Sequence, residues 1–545
     1  MTAVTRLFYG AIDFGTTYSG FAFASVNELK KYGTGEKITI QTNNWNAGSF
    51  MSPKAPTCLL LDKDEKFDSF GYDAEIRYMR LADEEDITGT KSMKAIDVFS
   101  HCIRYLKDEM FKIISDRVTS IDPSDIMYVL TVPAIWDDSS KQFMRQAAVQ
   151  AGIMTDQLII ALEPEAASIF CQNLPTEREI VDGKTVLKVG GEGTRYMIAD
   201  LGGGTADITV HERLASGKIK EVHRADGGAL GGKDVDDAFL KFLDTLLGPE
   251  VMKDFKDQCM EDYIELLREF ETKKREASET KEKINMSVPV SLKDILKRGV
   301  PQWIKFDVSY TKSQKIQIKK KTFLSFYEKT VKGIAEIITK ILSDLNVTTI
   351  VMVGGFSDCK LMSAELRENV IDENIQTLVI PADAELAVLK GAVLFGFMPE
   401  TIFARVARKT YGIQSWPIFR DGYHPTNKKV RINGIDRCRD VFFKYVEIGQ
   451  EVTAGHRMSQ VFQALGGKED HLECNIYVSS NPDPTFVTDD DCKLLGVLKM
   501  PLPKGIKDDD RVEIEETLVF GDTELHVMAR EFLTGHSVKC SFDLI

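Results

Sequence analysis

A chain of 545 residues is longer than one hydrophobic core serves, so two or more domains are expected. Its 43% hydrophobic and 28% charged residues are those of a globular protein, and a net charge of −14 argues against a general nucleic-acid binder, which carries a basic surface. The nine cysteines include no Cys-x-x-Cys pair, which argues against a zinc site or a secreted disulfide framework. Met1 to Phe8 holds no long apolar stretch, and no run approaches the ~20 apolar residues of a membrane span. A cytoplasmic protein with neither signal peptide nor transmembrane segment is the expectation.

Residues 7–60 read as strands and turns: a hairpin, then Lys37-Ile38-Thr39-Ile40, then Thr57-Cys58-Leu59-Leu60-Leu61. Ile96, Phe99, Ile103, Leu106, Met110 and Ile113 keep a helical period over 95–117. Ile126 to Val132 is a buried strand ending at Pro133; Lys141 to Ala151 is an amphipathic helix stopped by Gly152. Ile159 to Leu162 is a strand, followed by a helix from Glu165 to Gln172. This βα alternation predicts a buried sheet with helices on its faces. The pattern then repeats: a hairpin at 196–211, the run Gly227 to Gly232, a helix from Lys233 to about Leu247, charged helix over 253–284, a long helix over 322–345, the strand Thr349 to Val353 running into Gly354-Gly355, and a closing helix from Leu386 to Phe395. Beyond about residue 398, short alternating runs (Val441–Val446, Cys474–Val478, Val512–Ile514, Leu525–Val527, Val538–Phe542) predict an antiparallel β-sandwich. Asp489-Asp490-Asp491 and Asp508-Asp509-Asp510 read as solvated loops between them, with calcium the alternative.

Two segments carry the chemistry. Ala11-Ile12-Asp13-Phe14-Gly15-Thr16-Thr17-Tyr18 and Ile198-Ala199-Asp200-Leu201-Gly202-Gly203-Gly204-Thr205-Ala206-Asp207 are each an apolar strand, an aspartate, a tight Gly/Thr turn and a second strand. A turn poor in Cβ atoms lets backbone N–H groups crowd onto a phosphate, and the neighbouring carboxylate can hold Mg²⁺ through its waters. Two such turns at matching places imply phosphates clamped between duplicated lobes.

Together with Val353-Gly354-Gly355, these strings resemble the actin-like ATPase superfamily. Thr131-Val132-Pro133-Ala134, Glu163-Pro164-Glu165-Ala166-Ala167-Ser168 and Asp200-Leu201-Gly202-Gly203-Gly204-Thr205 are similar to its seventy-kilodalton heat-shock (DnaK-type) family. Ala134-Ile135-Trp136, Lys141-Gln142-Phe143-Met144-Arg145 and Phe520-Gly521-Asp522-Thr523-Glu524 resemble the divergent 12A/12B-like branch. The resemblance implies an α/β actin-like ATPase fold of duplicated ribonuclease-H-like lobes over 7–397 (lobe I about 7–190, lobe II about 194–397). A β-rich domain for substrate or partner, without a helical lid, follows over 398–545. It implies that Gly15, Thr16, Thr17 and Tyr18 approach the phosphates of ATP or ADP, and that Gly202, Gly203, Gly204 and Thr205 cradle them from the other lobe beside Gly231 and Gly232. Asp13 and Asp200 would hold the Mg²⁺ hydration shell, with Asp207 and Glu163 orienting water. Glu271, Lys274, Arg275 and Ser278 match the helix that sandwiches adenine and ribose, the Arg275 guanidinium stacking on the base; Gly354, Gly355 and Ser357 would bound its other side, with Glu385 or Asp383 nearby. A Glu-x-x-Lys-Arg string is also ordinary side-chain pairing on a charged helix.

The chain departs from the family where a small-lobe lysine is expected to neutralise charge developing on the phosphates. The segment after Phe70-Gly71-Tyr72 looks abbreviated; Lys91 and Lys94 are the candidate substitutes, and both read equally as solvated loop residues. The junction Met398 to Val406 lacks the usual leucine-rich acidic linker. The expectation is an atypical chaperone-like protein that binds Mg-ATP between two lobes and hydrolyses it slowly, as a weak ATPase, to control polypeptide or partner binding by the C-terminal domain. The alternative is an ATP-binding adaptor with negligible hydrolysis; a small-molecule kinase of the same superfamily is a third reading.

Overall fold

The computed structural model describes residues 6–34, 36–47, 51–83, 92–172, 179–181, 184–186, 192–278, 281–297, 307–313, 315–371, 377–432, 434–464, 471–501, 512–532 and 535–541. The chain divides into two units: Met1–Ile135, Gln146–Arg213 and Ala225–Pro399 form the first, and Trp136–Arg145, Leu214–Arg224 and Glu400–Ile545 the second. Among the described residues, no helix is long and apolar enough to cross a membrane.

In the first unit, strand Phe8–Phe14 pairs antiparallel with Tyr18–Ser25 and parallel with Ile126–Val132, which pairs parallel with Leu158–Leu162. Parallel strands are covered on both faces and therefore read as nearly continuous apolar runs, as 126–132 does. Helix Ala95–Ser115 supplies part of the cover, burying Ile103, Leu106, Met110 and Ile114 at helical spacing. The arrangement recurs: Arg195–Leu201 pairs antiparallel with Ala206–Arg213 and parallel with Thr349–Val353, which pairs parallel with Thr377–Val379. Asp13 and Asp200 are each the penultimate residue of the first strand of their hairpin.

Helices Glu163–Cys171 and Ala387–Phe397 are almost wholly buried and cross closely. Gly391 lies on the Ala166 carbonyl, where any Cβ would collide with backbone. Ala167 and Cys171 from one helix and Ala387 and Val388 from the other then pack on Tyr196, Ile198, Val351 and Val353 of the second sheet. A separate aromatic cluster anchors helix Met260–Glu276. Phe239 and Phe270 stack with ring centroids 3.8 Å apart, and Phe323 and Phe326 close over them.

Three local expectations change. Residues 37–40 form no strand, because the Thr39 N–H is taken by Glu28 Oε2, and pairing falls to Gln41–Thr42 instead. The 322–345 helix is two, Lys320–Ser325 and Glu328–Asp344, broken at Phe326 and Tyr327, whose rings turn into the aromatic cluster. The 253–284 helix is also two, Pro249–Gln258 and Met260–Glu276, followed by strand Lys283–Ser287.

The second unit holds two four-stranded antiparallel sheets, in the orders 441–446, 410–415, 471–479, 492–501 and 456–464, 512–520, 526–531, 537–541. One core joins them, built from Ile413, Tyr445, Ile476, Leu498, Ile514, Leu518 and Val527 among others. Ile219 and Lys220 pair with Ile402 and Ala404, and Glu221 Oε2 accepts the Val406 N–H at 2.8 Å. Arg145 and Glu524 form a buried two-pronged ion pair at 2.6 and 2.5 Å, and the Tyr411 hydroxyl donates to Asp138 at 2.9 Å. Asp489 and Asp491 are turn acceptors: Asp489 takes the N–H groups of Thr485 and Phe486, and Asp491 that of Asn481. Asp508 to Asp510 lie outside the described residues.

Candidate functional site

The two hairpin turns of the first unit meet. Thr16 and Thr17 pack their side chains onto the Cβ-less faces of Gly204 and Gly203, with Thr16 Oγ1 2.6 Å from where a Gly204 Cβ would stand. Any side chain at either glycine would drive the turns apart. Beneath them, the second turn is tied to the next helix by its own carbonyls: the Gly232 N–H donates to Gly202 and the Lys233 N–H to Gly203. The start of this helix therefore braces the turn: the Gly232 and Lys233 amides are already used, and Gly231 packs on the Gly203 carbonyl, where a Cβ would collide with the oxygen.

Behind the turns lies a nest of carboxylates. Asp13 is 6% exposed, Asp200 5% and Asp207 1%. Asp13 Oδ1 accepts from Thr131 Oγ1 at 2.9 Å; Asp207 Oδ1 accepts from the Ile135 N–H at 2.8 Å. Asp200 and Asp207 face one another in register across the second hairpin. Burial, and then the charges of Asp207 and Asp13, push the Asp200 carboxyl well above the usual carboxylate range. Burial followed by Asp200, Asp13 and Asp207 does the same to Glu163, at the start of its buried helix. Residues 131, 163, 200 and 353 all sit at carboxyl ends of parallel strands or in the hairpins beside them, the usual place for a ligand crevice in such sheets.

The cation opposing these shifts is Lys54, a residue the sequence reading missed. Its Nζ lies 2.6 Å from Asp13 Oδ2, and both side chains are largely buried. Burial works against the ammonium, but Asp13, then Asp200 and Glu385, outweigh it and hold the proton on more tightly than usual. Strand pairing puts it there. Tyr18 opposes Pro56 and Ser19 opposes Ala55, so Lys54 falls beside Gly20, which itself opposes Asp13. The signal in the sequence is slight: one lysine between Pro53 and Pro56, just before the Thr57 that bonds Gly15. Lys94, by contrast, is exposed at the start of helix Ala95–Ser115, and Lys91 lies outside the described residues.

At the other end of the site, Lys274 is buried and bonded to Asp236 at 2.7 Å and Glu271 at 2.5 Å, so its charge is internally committed. Burial raises the Glu271 carboxyl, but Lys274 and Arg275 outweigh it and hold it below the usual range. Arg275 bonds Glu271 at 2.6 Å, reaches Glu385 at 3.8 Å, and lies over the Tyr18 ring, 5.5 Å from its centroid. The Ser357 hydroxyl is buried and donates to the Gly354 carbonyl, closing the turn on itself; Ser278 is half-buried. Asp13, Glu163, Asp200, Asp207 and the two turns thus come together, while Arg275, Tyr18 and Glu385 form a second group.

These residues fit a hard divalent cation: oxygen donors, buried, with more negative charge than Lys54 offsets. Among the described residues, no three His, Cys, Asp or Glu groups are placed to ligate one ion directly. The Cβ-less turns facing two threonine hydroxyls suit an anion beside it.

The family model for the Hsp70 protein matches residues 79–415. Heat shock 70 kDa protein 12A of Mus musculus is 30% identical over 99% of this chain and 92% of its own length. Heat shock 70 kDa protein 12B of Homo sapiens is 30% identical over 98% of this chain and 90% of its own length. Chaperone protein DnaK of Endomicrobium trichonymphae is 24% identical over 76% of this chain and 58% of its own length. The chain belongs to the Hsp70 family, with the actin-like ATPase fold and the chaperone-like, nucleotide-binding character of that family.

Proposed function

We propose that the first unit binds Mg-ATP with its phosphates against the Thr16-Thr17 and Gly203-Gly204 turns, hydrolyses it slowly, and thereby controls polypeptide binding by the second unit, read as a β-sandwich, in the cytoplasm. The observation that carries this is the nest of Asp13, Glu163, Asp200 and Asp207 directly behind two apposed turns of duplicated hairpins. Asp13 and Asp200 are the residues to hold Mg²⁺ through its waters. Bound there, the ion supplies positive charge against the phosphate oxygens. Thr16, Thr17 and the turn amides bind and orient the phosphates, and Arg275 offers its guanidinium face to the base. Glu163 and Asp207 would orient a water; burial and the neighbouring carboxylates raise the Glu163 carboxyl, and a cation bound in the nest would offset the second of these causes.

The adaptor reading, in which ATP is kept and not turned over, is favoured by one feature: the lysine of the nest is already engaged by Asp13. Single-turnover conversion of stoichiometric labelled Mg-ATP separates the two. Retained nucleotide that converts, with conversion lost in Asp200→Asn, supports the ATPase; retained and unconverted ATP supports the adaptor; no retained nucleotide overturns both.

A further inference from the structure

Lys54 is anchored by its backbone and free only at its tip. The Thr57 N–H bonds the Thr17 carbonyl at 2.9 Å, Thr57 Oγ1 bonds the Gly15 carbonyl at 2.7 Å, and the Ser52 hydroxyl bonds the carbonyl of Lys54 itself at 2.7 Å. Prolines on either side remove further backbone freedom. The stem passes Gly20, where a Cβ would stand 3.1 Å from Lys54 Cγ, so a side chain at 20 would crowd it. From this fixed base, a four-carbon stem carries a compact charge that can exchange partners by rotation alone. Asp13 has two oxygens to offer. Thr131 takes Oδ1 and Lys54 takes Oδ2, the two bonds at 2.9 and 2.6 Å. A divalent cation whose waters claim Asp13 therefore competes with this ammonium, and two cations so close in a buried nest repel strongly.

We propose that Lys54 is a built-in counter-cation of the phosphate site: it holds Asp13 when no divalent cation is there, and turns to the terminal phosphate of the nucleotide when one is. The proposal rests on the nucleotide-binding reading above. Two consequences follow with opposite signs. Lys54 competes with the metal in the nucleotide-free protein, so removing it strengthens metal binding. Lys54 also keeps one positive charge beside the phosphates when metal is withheld, so removing it weakens metal-free nucleotide binding.

The test uses the full chain, with Mn²⁺ followed by electron paramagnetic resonance and a fluorescent N-methylanthraniloyl ATP as probes. In Lys54→Met, Mn²⁺ affinity without nucleotide is expected to rise about tenfold, and affinity for the labelled ATP in EDTA to fall about ten- to a hundredfold, the scale of one charge-assisted hydrogen bond. Lys54→Arg, which keeps the charge, should retain metal-free binding. Lys54→Gln repeats both measurements if the methionine variant fails to melt cooperatively. Unchanged or weaker Mn²⁺ binding in the neutral variants, or metal-free ATP affinity equal to the parent's, overturns the proposal. A parent that binds the labelled ATP while its Lys54 variants behave identically sinks this proposal alone; a parent that binds none in either condition sinks the nucleotide reading as well.

Discussion

Glu516 is a carboxylic acid set into the apolar core of the second unit, and that core should make it titrate near neutrality. On strand Val512–Phe520, the inward positions are Ile514, Glu516 and Leu518, and Glu516 is 4% exposed. Its neighbours across the core are the Cys474 thiol, which hydrogen-bonds it, and the Tyr445 hydroxyl, which donates to its backbone carbonyl at 3.4 Å; Oε2 has no hydrogen-bond partner among the described residues. Burial lifts the carboxyl from about 4.5 to about 7, the Cys474 bond offsetting part of the rise. A rise of that size is worth about 3 kcal/mol as an upper figure. The folded state holds the proton longer than the unfolded chain, so this group's stabilising effect is whole below pH ~4.5, is lost as the pH climbs to ~7, and changes no further above that. Glu516→Gln keeps the shape and removes the titration. Hydrogen exchange at pH 5 and pH 8, read on peptides covering residues 512–520, isolates the second unit from the first. The variant and parent should differ little at pH 5, and the variant should be the more stable by about 1–3 kcal/mol at pH 8. A gap between them that is the same at both pH values would show that the carboxyl does not titrate in this window, and the reasoning from burial would fail.

At the helix crossing, Gly391→Val should lower the melting temperature of the first unit, at a cost of about 1–3 kcal/mol or more, because the Ala166 carbonyl offers the new side chain no room; an unchanged melt would show that the helices can part freely. Asp200→Asn should raise the melting temperature of the nucleotide-free protein by relieving like-charge crowding, yet weaken Mg-ATP retention at least tenfold, and a fall in both would mean that Asp200 is chiefly structural. In the second unit, Glu524→Gln removes the carboxylate charge facing the buried Arg145 guanidinium and should cost about 3–5 kcal/mol, whereas replacing both residues with Met and Leu should restore most of it. Denaturant melts of the single and paired variants decide this, and equal losses in the two would refute it.

Much of the site was legible because its parts are local. A tight turn built from Gly202, Gly203 and Gly204 between two apolar runs announces itself in ten residues, and the matching turn at Thr16 and Thr17 does so again. The strand at 126–132 follows from a continuous apolar run ending at Pro133, and the helix at 95–115 from hydrophobic period. Where neighbours in space overrule the period, the reading failed: Phe326 and Tyr327 break a helix because their rings fill an aromatic cluster, and residues 37–40 lose their strand to the Glu28 carboxylate.

Little in the string reveals Lys54 beyond its place between Pro53 and Pro56. It stands 41 residues from Asp13, and only the pairing of Ala55–Pro56 against Tyr18 and Ser19 brings its ammonium to that carboxylate. The same holds for Asp138, Lys141 and Arg145, whose helix read as an ordinary amphipathic one, although Arg145 meets Glu524 across 379 residues of chain. Sequence determined the duplicated hairpins and their tight, Cβ-poor turns, since backbone turns depend on which residues lack a Cβ. Tertiary structure alone decided which charges share one buried space, because that depends on strand register, and register sets distances that no sequence separation encodes.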